Sequence, residues 1–451
     1  MSDVESGLRG LALSGDAAPA SAARRTSSPR MVPDDGPERA PRKRSAVDDD
    51  RLPVSYYIVL ISVAALLAFG LLMVYSASAA VRMFAGSTDP YAYLRPQALS
   101  AVVGLAVLWV LSRCDYRRWR GWFLLGAVAS TALLLAVHVP GVGEGSNGAT
   151  RWIGLGFISL QPSEVAKLAV VGVAAHLLSL PRAQEGSTSD KLMPLLLVGG
   201  AICGLILVQP DLGTAILVVM ALLALLWVAG LRARDWLGLV VVGSALAGIF
   251  IMTAQYRRER FLAFLAPFDD AKHTGYQLVQ SLYALGSGGL FGVGPGRSVQ
   301  KFSYLPEAHT DMIFAVAGEE FGLLGVTIVI AFFVLFVVAA LRIARRCGDP
   351  FGRYLAVGCT VLIGGQAFLN MGGVMSALPL TGVPLPFISF GRTNLLVVLA
   401  AVGVILSVAR HGPAPPATAP LDLELQESTN VADLDRRRRD GGSRRPRPGT
   451  R

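Results

Sequence analysis

The stretch MIFAVAGEEFGLLGVTIVIAFFVLFVVAAL, residues 312–341, decides the fold. From Phe321 to Leu341 it carries no charge, and a helix of that length spans the ~30 Å hydrocarbon core of a bilayer. Read outward from it, the pattern recurs. Ten helical segments are expected, at 55–76, 97–112, 120–139, 162–180, 192–208, 211–229, 236–254, 310–341, 354–376 and 388–409. Several are interrupted by glycine, which membrane helices tolerate. The reading is therefore an all-α polytopic membrane protein of about ten transmembrane helices, with a large extracytoplasmic loop between helices 7 and 8.

The charges agree. Of 451 residues, 53% are hydrophobic and 16% charged, below the quarter expected of a soluble domain. Residues 1–53 and 411–451 hold 18 and 14 charges, leaving 40 for the 357 residues between them. The expected organisation is a disordered cytoplasmic N-terminal tail (1–53), a membrane domain (54–410, with the loop at 255–309) and a disordered, basic cytoplasmic C-terminal tail (411–451). The polar opening reads as a tail and not as a secretory signal. Cys114, Cys203, Cys347 and Cys359 are scattered, which excludes a disulfide scaffold or a cysteine zinc site.

An even helix count puts both tails on one side of the membrane. One set of alternating loops holds Arg113, Arg117, Arg118, Arg120, Arg182, Lys191, Arg232, Arg234, Arg342, Arg345, Arg346 and Arg353, so those loops and the tails are expected in the cytoplasm. The loop at 255–309 departs from that rule. It carries Arg257, Arg258, Arg260, Lys272, Arg297 and Lys301 on the expected outer side, so it is read as binding an anion there.

Ionisable residues at or inside membrane helices are expensive and mark candidate sites. Asp311 closes Tyr304-Leu305-Pro306-Glu307-Ala308-His309-Thr310-Asp311, directly before the run quoted first. Thr310 and Asp311 stand where a helix cap would be, so capping is one reading. The other is a carboxylate at a partly desolvated mouth, with Glu307 and His309 before it and Glu319 and Glu320 deeper in the helix, tuned to accept a proton. A second cluster is Asn147-Gly148-Ala149-Thr150-Arg151-Trp152 with Gln161-Pro162-Ser163-Glu164 and Lys167. Glu164 and Lys167, three apart, share a helix face and can pair, either neutralising each other in the bundle or bracing a polar cavity with Arg151 and Trp152 at its rim. Asp211, in Gln209-Pro210-Asp211, reads as a cap. The proline-punctuated run 382–391 reads as an outer loop re-entering the last helix. The glycines of 286–289 and 292–296 lack a βαβ context, so close backbone packing or a headgroup phosphate explains them better than a nucleotide does.

With Tyr304 to Glu320, NGATRWIGLG at 147–156, QPSEVAK at 161–167, QPDLGTA at 209–215 and PLPFISFG at 384–391, the chain resembles the SEDS family of bacterial cell-wall polymerases over residues 54–410. MVYSAS at 73–78 and the long polar N-terminal tail are closer to the family's division branch than to its elongation branch. The resemblance implies a ten-helix glycosyltransferase that polymerises lipid II into peptidoglycan strands at the outer face of the cytoplasmic membrane, at the division septum. It places the catalytic carboxylate on Asp311. It also implies partnership with a class B penicillin-binding protein transpeptidase and other divisome membrane proteins, and no nucleic acid. One departure stands out: the family continues PLPFIS with Tyr-Gly-Gly-Ser-Ser, where this chain has Phe390-Gly391-Arg392-Thr393-Asn394.

That chemistry assigns Asp311 as the base for the acceptor hydroxyl. Arg257, Arg258, Arg260 and Lys301 are expected at the pyrophosphate of the undecaprenyl-linked glycan, and Arg151, Trp152, Glu164, Lys167, Glu307 and His309 elsewhere on the substrate. No protein metal site is expected, although a divalent cation such as Mg2+ or Mn2+ can share the pyrophosphate's charge. Two rivals remain open: a lipid-precursor flippase, against which stands the lack of an inverted repeat, and a scaffold that has lost catalysis, for which Arg392 speaks.

Overall fold

The apolar runs form the expected helices in the computed structural model, which describes residues 52–84, 89–139, 143–146, 149–155, 158–302 and 305–413. The expected tails lie almost wholly outside the described residues, as do Asn147, Gly148, Gly156 and Tyr304. Among the described residues thirteen α-helices follow in order: α1 (Val54–Phe84), α2 (Leu94–Arg113), α3 (Arg120–Ala136), α4 (Pro162–Leu178), α5 (Pro181–Glu185), α6 (Thr188–Val208), α7 (Leu212–Val228), α8 (Ala233–Met252), α9 (Gln255–Leu265), α10 (Tyr276–Ser287), α11 (Ile313–Arg346), α12 (Pro350–Val374) and α13 (Arg392–His411).

Eight spans are long and apolar enough to cross a membrane: α1, α2, α3 together with the 3-10 turn Tyr116–Trp119 that leads into it (21 residues, Tyr116–Ala136), α6, α8, α11, α12 and α13. α7 is apolar but only 17 residues long, and α4, also 17, carries Glu164, Lys167 and His176. Of the ten expected spans, then, eight meet the criterion of length and apolarity. Local chemistry sets the ends. Pro162 and Pro350 stand in the first turns of α4 and α12, where the missing N–H costs nothing. Asp211 accepts from Thr214 N and caps α7, as its sequence position predicts.

Two segments expected as plain loop are not. Residues 255–309 contain α9 and α10. Between α3 and α4, β1 (Gly143–Ser146), β2 (Ala149–Leu155) and β3 (Ile158–Leu160) form a small antiparallel sheet in the order β1-β2-β3. The glycines of this stretch mask its alternation, so no strand signal rises above the loop composition.

α12 lies at the centre, packed by α4, α7, α11 and α13, while α13 runs along α2 and α1 along α11. In α12, 78% of the apolar window is buried inside the protein; in α8 none is, so the apolar flank of α8 is left for lipid.

α11 is broken at Gly322, whose φ of 66° and ψ of −165° no helix contains. The break leaves helical groups without partners, and residues 289–294 supply them. Val293 N and Gly294 N donate to the carbonyls of Glu319 and Glu320, while Leu323 N and Leu324 N donate to those of Gly289 and Leu290. Only glycine allows this approach: a Cβ on Gly292 would fall 2.1 Å from Glu320 O. Close backbone packing is thus what these glycines do, and irregular backbone is tolerated here because protein covers it.

Candidate active site at one end of the bundle

Asp311 does not cap α11. The helix starts at Ile313, and Met312 is its N-cap without any side-chain cap bond. The capping reading fails, and the carboxylate needs another account. It sits in a mouth built by two irregular segments, residues 305–312 and 376–391, with the start of α2 packed beside them. Glu307, Ser376 and Phe387 there adopt positive φ, at 54°, 54° and 64°. Such strain in non-glycine residues persists only where surrounding structure enforces it, and it gathers at functional sites.

Burial pushes the Asp311 carboxyl up to about 6; the nearby Glu307 charge adds to that rise and Arg260 opposes it. A carboxyl so placed changes charge near neutrality. Thr310 Oγ1 donates to Glu307 Oε2 at 2.9 Å and lies 3.3 Å from Asp311 Oδ1. Burial also holds the His309 imidazole below its ordinary range, against the opposing charge of Glu307. It packs 4.6 Å from the Tyr93 ring and 5.8 Å from Phe390, and its main-chain carbonyl accepts from Phe390 N at 2.9 Å. Gln97 of α2 clamps the same turn, donating to Ser389 O and accepting from Gly391 N.

The second cluster also closes. Glu164 and Lys167 form a buried ion pair at 2.8 Å. Asn394 Nδ2 donates to Glu164 Oε2 at 3.0 Å, and Lys167 Nζ donates to Gln366 Oε1 at 3.0 Å. Gln366 Nε2 in turn donates to Pro384 O at 2.7 Å, which links the pair to the segment lining the Asp311 mouth. Arg151 is spent on the α6–α7 turn: its Nε and Nη2 donate to Gln209 O and Pro210 O. Trp152 stands on β2, paired in register with Glu144. Arg392, the unexpected cation, donates from Nη2 to Ser159 Oγ at 2.6 Å, so it ties β3 to the start of α13.

The basic residues divide. Arg260 acts on Asp311 and reaches Gln277 Oε1 at 3.4 Å. Arg258 is exposed on α9, and Arg257 lies over the Phe250 ring at 3.8 Å. Lys301 is elsewhere. It is 1% exposed, paired with Glu320 at 2.8 Å and bonded to Ser76 Oγ, so here its ammonium serves the α11 break rather than the mouth. Tyr93, Asn370 and Gln366 are site residues that sequence reasoning missed; a lone polar side chain inside an apolar helix is the signal that could have found the last two. Among the described residues, no three His, Cys, Asp or Glu side chains come together as a metal-ligating set.

A family model described as cell cycle protein, covering FtsW, RodA and SpoVE, matches residues 57–413. The chain is 41% identical over 354 residues to the probable peptidoglycan glycosyltransferase FtsW of Geobacter metallireducens, covering 78% of this chain and 94% of that one. It is 39% identical over 355 residues to stage V sporulation protein E of Bacillus subtilis, covering 78% and 96%. Among solved structures, it resembles a chain of a peptidoglycan synthase complex that coordinates polymerization and crosslinking, with a TM-score of 0.65, 28% identity, and coverage of 78% of this chain and 97% of that one.

Proposed function

This chain belongs to the FtsW, RodA and SpoVE family of cell cycle proteins, and from that premise we propose that it is a peptidoglycan glycosyltransferase with Asp311 as its catalytic base. The substrate is lipid II, and the product is a glycan strand on undecaprenyl pyrophosphate, made during septal wall synthesis. The observation that carries the reading is Asp311 itself: a carboxyl at a strained mouth, not used as a cap, and raised to about 6.

In the reaction the acceptor's 4-hydroxyl oxygen bonds to the donor's anomeric carbon as the bond from that carbon to the pyrophosphate breaks. Asp311 takes the hydroxyl proton, and the pyrophosphate leaves as an anion. Its charge is assigned to Arg260, which acts on Asp311, and to the exposed Arg258 of the same helix. Mg2+ or Mn2+ would supply further neutralisation of the pyrophosphate; the described residues form no protein cage for such an ion, so it would be held by the substrate phosphates. The membrane domain spans ten times, with both tails cytoplasmic and the Asp311 mouth outside. A class B penicillin-binding protein is the crosslinking partner, a reading supported by the synthase complex that the fold resembles.

Purified protein in proteoliposomes should convert lipid II to polymer, and folded Asp311→Ala and Asp311→Asn should not. Because the base must be ionised, and its pKa is raised, the wild-type rate should fall as pH drops through about 6 instead of near the ordinary ~4. Polymer from Asp311→Ala, or an acid limb near 4, rejects the assignment. Translocation of labelled lipid II without polymer would favour the flippase.

A further inference from the structure

We propose that Asn370 is a positioning residue for Asp311, acting through the main chain of the catalytic loop. This rests on the reading of Asp311 as the base. Asn370 lies near the end of α12 and is buried. Its Nδ2 donates to Asp311 O at 2.8 Å and to Val383 O at 2.8 Å. Both partners are carbonyl oxygens, which only accept, so the amide nitrogen must face them and the side chain has one permitted orientation.

That orientation leaves Oδ1 buried with no hydrogen-bond partner from the protein among the described residues. What it accomplishes is geometric. One amide holds together the two irregular segments that form the mouth, residues 305–312 and 376–391. Val383 follows Gly382, whose φ is +69°, and a Cβ on Gly382 would lie 3.9 Å from Asp311 Oδ2. The two bonds of Asn370 therefore set how closely the Asp311 carboxylate approaches the wall opposite it.

Gln366, one turn earlier on the same face of α12, repeats the device by donating to Pro384 O, and it is held by Lys167. A continuous polar chain thus runs from Glu164 through Lys167, Gln366 and the 383–384 backbone to Asn370 and Asp311. The buried ion pair of α4 anchors one end of it, and the base sits at the other.

The test measures kcat, KM for lipid II and the pH dependence of kcat for N370L, which keeps the number of side-chain heavy atoms and removes both donors, and for N370S, which keeps one. The charged groups facing Asp311 are Glu307 of its own loop and Arg260 of α9. Residues 362–391, including the end of α12 and the whole 376–391 segment, carry no charge, so no other group on that side titrates in the same range. N370L should lower kcat roughly 10- to 100-fold with KM nearly unchanged, because a base displaced by about 1 Å loses catalysis more than binding. Its acid limb should also move below about 6, as the carboxyl gains water. N370S should fall between N370L and wild type. If N370L does not fold, the same readouts on N370S decide. A merely structural role would lower the folded fraction but leave kcat per folded molecule and the acid limb where they are, and that result overturns the proposal. An inactive Asp311→Ala beside a normal N370L rejects this inference alone, whereas an active Asp311→Ala rejects the reading beneath it.

Discussion

Two buried lysine–glutamate pairs hold this protein together in different ways. Glu164–Lys167 and Lys301–Glu320 each close at 2.8 Å, and all four side chains are at most 3% exposed. The first pair lies three residues apart on one helix, where helical geometry alone brings the groups together. Neighbouring helices then complete it with side chains, Asn394 and Gln366. The second joins a loop to a broken helix across 19 residues, and there the backbone does the completing, with four main-chain bonds between residues 289–294 and the break at Gly322. The difference teaches where disturbance travels. Damage to the α4 pair travels through the side chain of Gln366 to the 383–384 backbone, while damage at the break releases the chain segment that continues into Asp311.

The largest expected effect is at the lysines. Leaving a buried carboxylate without its cation costs about 3–5 kcal/mol. Lys167→Met and Lys301→Met should therefore destabilise comparably, read as thermal unfolding in detergent by tryptophan fluorescence. They should part in limited proteolysis: Lys301→Met opens the 295–312 segment to cleavage well below global unfolding, and Lys167→Met does not. Glu319 sharpens the contrast, since its carboxylate accepts from Ser298 Oγ, Val299 N and Gln300 N at the start of that segment. Equal protection of the segment in both variants would break the comparison.

A smaller effect is expected at Gly292. An alanine there must hold φ near +82° and meet the Glu320 carbonyl, so Gly292→Ala should cost about 1–3 kcal/mol, with the same local opening as Lys301→Met. An alanine that stabilises the protein, as at compatible glycine sites, would show that the stitch at the break is not as tight as its distances state.

The two regions also differ in how readable they are. Spacing alone announced the α4 pair, just as uninterrupted apolar length announced the helices and an aspartate before an apolar run announced the α7 cap. Nothing local announces Lys301–Glu320. Its partners come from separated segments, and the glycines that permit the break look like those of any loop. Asp311 was legible as a candidate through its neighbours and the family resemblance, but its first structural reading as a cap was not the right one. Asn370 was invisible because its role is a relation between two backbone segments that only the folded chain brings together. Arg392 reversed its apparent meaning, for the cation that looked foreign to the motif anchors β3.

The smallest effect supplies the control on what burial contributes. Asp89 and Arg95 pair at 3.1 Å, nearly as close as the two buried pairs, but their side chains are 39% and 70% exposed. In water the attraction is screened, and ordering a long arginine offsets much of what remains, so Asp89→Ala should change stability by about 0–1 kcal/mol, with the rest of the chain unaffected. Because the distance is so similar, the ratio between this variant and Lys301→Met isolates desolvation from geometry. Raising the salt concentration should erase the Asp89→Ala effect and leave the Lys301→Met effect in place, since mobile ions cannot reach a pair that is 1% exposed. A Lys301→Met penalty that also fades with salt would mean that water and ions enter the break, and the loop carrying Asp311 would then rest on its other bonds, those to Glu319 and Asn370.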